Sequence, residues 1–294
     1  MSPLLLVDGH AYAYRAFHAI RSLNGPDGNP TNAIFGFVKM LGRMLAEQKP
    51  SHRAVVWDGG LDEKRMALLP EYKAQRPAMP DSLAEQIEAM VDYLAAARVT
   101  SIRQDGVEAD DLIGVMARRA AAAGQRVVIA SADKDFFQLV SDSVGLLNPN
   151  DKSGKVWGPG DVVAKTGVKP EQVVDLLSLL GDAVDNVPGV PGVGPKTAAA
   201  LLNEFGSVNG IYARLEAVGS ERIREALQSA EAAVRRNQEM IRLPEDLPGV
   251  PEMHELLAAP ADQALLLELY RRWGFRGLAA EAEQALKGQA ELFG

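Results

Sequence analysis

The feature that most limits what this chain can fold into is a repeated one: a short apolar run that ends in an acid. Leu4-Leu5-Leu6-Val7 runs into Asp8, Ala54-Val55-Val56-Trp57 runs into Asp58, and the apolar strand core Arg126 to Ser131 is followed directly by Asp133 and Asp135. Each run has the length of a strand, and the segments between them carry helical periodicity. Strands alternating with helices predict an α/β fold on a mostly parallel central sheet flanked by helices. Such sheets place ligands at the carboxyl ends of their strands, which is where these acids fall.

The intervening segments agree. A helix is expected through Tyr12, Arg15 and Phe17, and a longer one from Thr31 through Ile34, Val38 and Leu41, stopped by Pro50. Ser82-Leu83-Ala84-Glu85 fits a capping box opening a helix to Leu94, and Val99 to Arg103 reads as a third strand. The helix after Asp110 ends at Gly124, and Val144 to Leu147 adds a strand. Beyond about residue 160 the strands stop, and helices are expected over 171–180, 196–205, 221–236 and 262–273. The expected organisation is an α/β domain over 1–160 with a basic insertion at about 60–80, a helical domain over 161–280, and a tail over 281–294.

Five carboxylates crowd one stretch: Glu108, Asp110 and Asp111, then Asp133 and Asp135 after one helix and one strand. Like charges sharing a site repel and raise one another's pKa, so something must neutralise them. A hard divalent cation such as Mg²⁺ suits carboxylate oxygens. A solvated helix start is the plainer account of the first three, but the second pair weakens it. Glu108 and Asp111, three apart, share a helix face, and Asp133 and Asp135 would face one cleft on an extended backbone. Asp182 and Asp185, after a helix, are spaced to coordinate together. With Asp8 and Asp58 the set reaches nine acids, a site spanning both expected domains.

Composition narrows the chemistry. The 294 residues contain no cysteine, which removes thiolate metal sites and Cys nucleophiles and leaves oxygen ligands. The first eight residues lack a basic region and are cut short by Asp8, so they form neither a signal peptide nor a membrane span. A net charge of −8 argues against a phosphate-rich partner. Setting nine metal-bound acids aside leaves +1, which removes that objection.

Two segments look suited to nucleic acid. Lys64, Arg65, Tyr72, Lys73 and Arg76 spread along a basic loop closed by Pro77 and Pro80, where a Tyr can stack on a base while the cations hold phosphates. Gly189-Val190-Pro191-Gly192-Val193-Gly194-Pro195-Lys196-Thr197 nearly spells a P-loop, but Pro195 separates Gly194 from Lys196 and no strand precedes it. The alternative is a helix-hairpin-helix: the glycines admit close backbone approach to DNA phosphates, and Pro195 opens a helix whose N-terminus favours anions. Contacts of this kind hold backbone without reading sequence.

Taken in order, Leu6-Val7-Asp8-Gly9-His10, Tyr14-Arg15, Tyr72 to Pro77, Val107 to Asp111, Ala132 to Asp135, and Gly181 to Asn186 with the glycine hairpin resemble the 5′-nuclease domain of bacterial DNA polymerase I, within the flap endonuclease superfamily. The resemblance covers nearly the whole chain. It implies a PIN-like, resolvase-like nuclease core with a helix-3-turn-helix domain. It also implies metal-dependent hydrolysis of phosphodiesters near 5′ ends of flapped or nicked DNA, in replication and repair. Asp8, Asp58, Glu108, Asp110 and Asp111 match its first carboxylate group, and Asp133, Asp135, Asp182 and Asp185 its second. They would hold two or more Mg²⁺, for which Mn²⁺ can substitute.

Tyr72, Lys73 and Arg76 match the family's DNA-engaging arch, with Lys73 and Arg76 in the catalytic role of neutralising the transferred phosphate. Arg15 lies in a matching segment near the site. Gly189, Gly192, Gly194, Lys196 and Thr197 match the hairpin that grips duplex and can hold K⁺. His10 is expected to be structural. Two departures stand out: Trp57-Asp58-Gly59 where Phe-Asp-Ala is frequent, and Lys64 before Arg65 where an aromatic is common. The chain stops at Gly294 with no polymerase following, so it reads as a stand-alone, monomeric, cytoplasmic and nucleoid-associated nuclease.

Gln289-Ala290-Glu291-Leu292-Phe293 resembles the Gln-x-x-Leu-Phe peptides that bind the bacterial sliding clamp, which marks Gln289, Leu292 and Phe293 for that partner; a frayed terminus is the alternative. RNA primers are a further expected substrate. The competing readings are a branched-DNA-binding module without turnover and a related RNA-preferring nuclease.

Overall fold

The structure, a computed structural model, describes residues 2–151 and 153–293, with side chains as far as residue 288. In chain order the elements begin β1 (Leu4–Asp8), α1 (Gly9–Ala19), α2 (Asn32–Gln48), β2 (His52–Trp57), α3 (Glu63–Leu68), α4 (Asp81–Ala96), β3 (Thr100–Arg103) and α5 (Ala109–Ala122). They continue with β4 (Val127–Ala130), β5 (Val144–Leu147), β6 (Val156–Trp157), α6 (Pro159–Thr166), α7 (Val173–Leu180), β7 (Gly181–Asp182) and β8 (Val187–Pro188). The last are α8 (Pro195–Phe205), α9 (Val208–Ala213), α10 (Glu221–Ile241), α11 (Gln263–Arg272) and α12 (Arg276–Phe293). Two compact units result: Met1–Asp58 with Ala78–Gln104 and Pro251–Gly294, and Gly59–Pro77 with Asp105–Val250.

In the first unit three strands lie in the order β3-β2-β1, all parallel, with Leu4 opposite His52 and Asp8 opposite Val56. Leu4 to Val7 and Ala54 to Trp57 are buried, as expected of parallel strands covered on both faces. α1 packs on α2, and α4 packs on α2 and α11. The first N–H groups of α2 have no partner within the helix. Gln86 of α4 supplies one, accepting from Ala33 (2.7 Å) and Ile34 (3.2 Å).

The capping box expected at Ser82–Glu85 does not form. α4 starts at Asp81 with Pro80 in the cap position and no side-chain cap bond. The fixed proline φ sets up the helix start, and Ser82 already lies inside the first turn.

In the second unit β4 and β5 are parallel and β6 runs antiparallel to β5. The helical part is built on α7 and α10, which pack together, with α8 on α7 and α9 on α8. Strands do not stop at residue 160 as expected: β7 and β8 form a two-residue antiparallel pair that closes the turn carrying Asp182 and Asp185. Buried Asn237 of α10 holds that turn in place, its Nδ2 donating to the carbonyls of Ser178 (3.1 Å) and Pro188 (2.8 Å). Mostly parallel strands flanked by helices, followed by a helical segment, match the expected fold class.

Candidate metal centre and nucleic-acid interface

The first three acids meet at the start of α5. Glu108 occupies its N-cap, and Asp110 and Asp111 its first turn, where the helix dipole favours negative charge. Glu108, Asp110 and Asp111 each offer an oxygen within 4.8 Å of the others, and they form the acid group so placed among the described residues.

Glu108 is fully buried, and its two oxygens differ. Oε2 accepts from Arg65 Nη1 (2.9 Å), Tyr72 OH (3.2 Å) and Lys73 Nζ (2.7 Å). Oε1 is buried and has no hydrogen-bond partner. A buried carboxylate oxygen left bare is costly, and a divalent cation is the partner that three converging carboxylates fit. Asp110 carries the same signature: burial, then the charges of Asp111 and Glu108, push its pKa well above the ordinary carboxylate range.

Arg65, expected only as a member of the basic loop, anchors this cluster. It projects from α3, whose N-cap Asp62 accepts from the Lys64 and Arg65 N–H groups. Its Nη1 and Nη2 bind Asp111 Oδ2 (2.8 Å) and Oδ1 (2.7 Å), and its Nε donates to the Met240 carbonyl (2.8 Å). Burial opposes the guanidinium charge, but the bond to Asp111 and the charges of Asp110, Asp111 and Glu108 outweigh it and raise its pKa. The partners lie 43 and 46 residues away in sequence, so no local pattern reveals the pairing.

The second acid group sits after β4 and in the β7–β8 turn. Asp133 caps a 3-10 helix over Lys134–Leu139, its Oδ1 accepting from the Asp135 N–H (2.9 Å). Asp133 keeps the expected extended backbone, but the chain turns into the 3-10 helix from Lys134, so the pair is not extended throughout. Burial, and then neighbouring Asp charges, raise the pKa of Asp135 well above the usual range; Asp133 is raised mainly by burial, although its bond from the Asp135 N–H works the other way. Asp182 goes the other way: burial would raise its pKa, but the bond and charge of Lys134 Nζ at 2.9 Å, with the Val184 and Asp185 N–H groups, together lower it. A cavity beside this group is lined by Tyr72, Lys134, Asp135, Asp182 and Asp185.

The basic segment is folded down onto acids. Lys73 takes a left-handed backbone (φ 56°), and its N–H donates to the Asp185 carbonyl (3.0 Å). Arg76 pairs with the Asp185 carboxylate through Nε (3.0 Å) and Nη2. Asn186 bonds on both sides of its amide, accepting from Gln75 and donating to the Glu71 carbonyl. The Tyr72 ring is buried among Leu69, Val187 and Met240.

At the glycine hairpin, Gly192 has a left-handed φ of 79°, and Gly194 caps α8 with Pro195 at the first helical position. Lys196 is exposed and Thr197 half-buried in the same first turn. Gly189 packs so closely that a Cβ would lie 2.1 Å from the Leu180 carbonyl oxygen.

In the first unit, Asp8 ends β1 and caps α1, accepting from the Ala11 N–H (3.0 Å), and Asp58 follows β2. The Asp58 N–H lies 3.1 Å from His10 Nδ1, and burial lowers the His10 pKa against the pull of Asp58. Trp57 fills the space beside Gly9, where a Cβ would come within 2.5 Å of the indole, and donates Nε1 to Ser101. Arg15 lies half-buried on α1. The side chains of Gln289, Leu292 and Phe293 lie outside the described residues.

Two family models match end to end: the 5′-3′ exonuclease N-terminal resolvase-like domain over residues 3–167, and the 5′-3′ exonuclease C-terminal SAM fold over 168–264. The chain belongs to the 5′-3′ exonuclease family. Among members, a 5′-3′ exonuclease of Aquifex aeolicus is 41% identical over 216 residues, 74% of this chain and 74% of that protein. DNA polymerase I of Bacillus caldotenax is 34% identical over 95% of this chain, which spans only 32% of the polymerase. The chain thus corresponds to about a third of the length of the polymerases it matches.

Of solved structures, T5 5′-exonuclease with bound zinc ions superposes with a TM-score of 0.68 at 25% identity, covering 82% of this chain and 89% of that one. The catalytic core of Rad2 in complex with a DNA substrate shares the fold at 15% identity, with a TM-score of 0.62 over 92% and 87% of the two chains. The 5′-3′ exonuclease activity expected of the chain is that of its family.

Proposed function

We propose that this chain is a structure-specific 5′ nuclease acting on flapped or nicked DNA, as 5′-3′ exonuclease and flap endonuclease, with two or more Mg²⁺ ions. The observation that carries the reading is the bare, buried Glu108 Oε1 within a converging acid group. The ions would be held by acids of the set Asp8, Asp58, Glu108, Asp110, Asp111, Asp133, Asp135, Asp182 and Asp185. When bound, they supply a more acidic attacking water and charge stabilisation at the leaving oxygen.

The chain's own residues do the rest. Lys73 and Arg76, now neutralised by Glu108 and Asp185, exchange those carboxylates for the scissile phosphate and stabilise its developing charge. Tyr72 stacks on a base once this segment lifts, since its ring is turned inward when the segment is down. Arg15 adds a phosphate contact. Gly189, Gly192, Gly194, Lys196 and Thr197 grip duplex backbone, with K⁺ at the hairpin. In this reading residues 1–160 carry the chemistry, 161–280 hold duplex, and 281–294 form a tail; the change of family model at residue 168 supports the first boundary.

The site of action is the cytoplasm, at the nucleoid, with the protein acting as a monomer; no described helix is long and apolar enough to cross a membrane. Gln289, Leu292 and Phe293 dock on the sliding clamp, and undiminished capture by clamp after deletion of 289–294 would refute that. The central test is a 5′-labelled flap duplex incubated with Mg²⁺, with EDTA and with Asp133→Ala. Cutting is expected only with Mg²⁺ and wild-type protein, and persistence in EDTA or in the variant overturns the reading. Binding without cutting would favour a branched-DNA-binding module, and preference for an RNA flap an RNA nuclease.

A further inference from the structure

The three acids at the start of α5 are not equivalent, and the reason is Arg65. Both oxygens of Asp111 are engaged by one guanidinium, in the parallel two-bond geometry that a planar fork makes with a carboxylate. The same Nη1 also reaches Glu108 Oε2, which Tyr72 and Lys73 already saturate. Glu108 Oε1 alone is buried without a partner. Arg65 itself is fixed at a third point by the Met240 carbonyl, and all three side chains are at least nine-tenths buried.

We propose that Arg65 is a positioning residue: it commits Asp111 to a supporting role and turns Glu108 so that its free oxygen, together with Asp110, receives the cation. The inference rests on the reading above that this cluster holds a divalent ion. A guanidinium is suited to the task because it stays charged at any working pH and offers donors in a rigid plane. A lysine would keep the charge but not the fork, so it could not hold both Asp111 oxygens and Glu108 at once. Groups in this position behind metal ligands typically change affinity or activity by ~10–100-fold when lost.

The test compares Arg65→Lys, Asp111→Asn and the double variant in the full chain. Three quantities are read: Mn²⁺ binding to the metal-free protein by titration calorimetry without DNA, kcat and KM on the flap at saturating Mg²⁺, and the melting temperature. Arg65→Lys is expected to weaken Mn²⁺ binding and lower kcat by ~10–100-fold with KM little changed. The double variant should be no worse than the poorer single one, because both residues act through one link.

Wild-type Mn²⁺ affinity and kcat in Arg65→Lys would overturn the proposal, as would losses that multiply in the double variant. If Arg65→Lys melts below the assay temperature, Asp111→Asn decides: an unchanged number of Mn²⁺ ions bound supports a supporting role, and the loss of one ion refutes it. Calorimetry needs no turnover, so wild-type protein that binds Mn²⁺ yet leaves the flap intact would defeat the nuclease reading without touching this one.

Discussion

Where buried carboxylates outnumber nearby cations, protons are the remaining neutralisers, and Asp110 and Asp135 show it. Both have pKa values well above the usual range, through burial and then neighbouring acids. A raised folded-state value means that the folded protein binds more protons than the unfolded chain between the two pKa values, so stability falls as pH rises through that window. Without metal, the stabilising contribution of Asp110 is therefore full below its unfolded-state value of about 4 and is lost as pH rises above it. Denaturant titrations in EDTA should show wild type losing ground to Asp110→Asn as pH rises from about 4 to 7. Mg²⁺ should reverse that trend by favouring the charged form. The acids themselves were legible in the sequence because their spacing is local and they follow strand ends. Arg65 was not: its role depends on a long-range approach that only the folded chain creates.

Helices and strands of the core were readable for the same local reason, while their ends were set by chemistry that a motif underdetermines. Pro80 displaced the expected capping box, and the Asp133 cap converted an expected extended pair into a 3-10 start. The two-residue β7–β8 pair is too short to leave a periodic trace. The glycine hairpin allows its fold and function to be separated. Gly189→Ala forces a Cβ against immovable backbone and should cost ~1–3 kcal/mol of stability, read by urea unfolding. Gly194 has an ordinary extended backbone and open space around its would-be Cβ. Gly194→Ala should leave stability within ~0.5 kcal/mol of wild type. If phosphates approach that backbone, duplex affinity measured by fluorescence anisotropy in Ca²⁺ should nonetheless fall.

On the scale of the molecule, a chain with a net charge of −8 has to meet a polyanion. The folded chain pairs several acids with its own cations: Arg65 and Lys73 with Glu108, Lys134 with Asp182, and Arg76 with Asp185. These pairs offset part of the repulsion within the acidic cluster. They also tie two ligands into one equilibrium. Where phosphates draw Lys73 and Arg76 away from Glu108 and Asp185, those carboxylates gain affinity for a metal ion, so metal and DNA should bind with positive heterotropic coupling. Reciprocity then requires a cleavage-resistant flap to tighten Mn²⁺ binding by the same factor by which Mn²⁺ tightens the flap, ~5–150-fold for couplings of ordinary size. Calorimetric titration of each ligand in the presence of the other measures both factors, and Lys73→Ala with Arg76→Ala should bring them towards one. The downward fold of the basic segment would thus make metal occupancy a sensor of whether DNA is present.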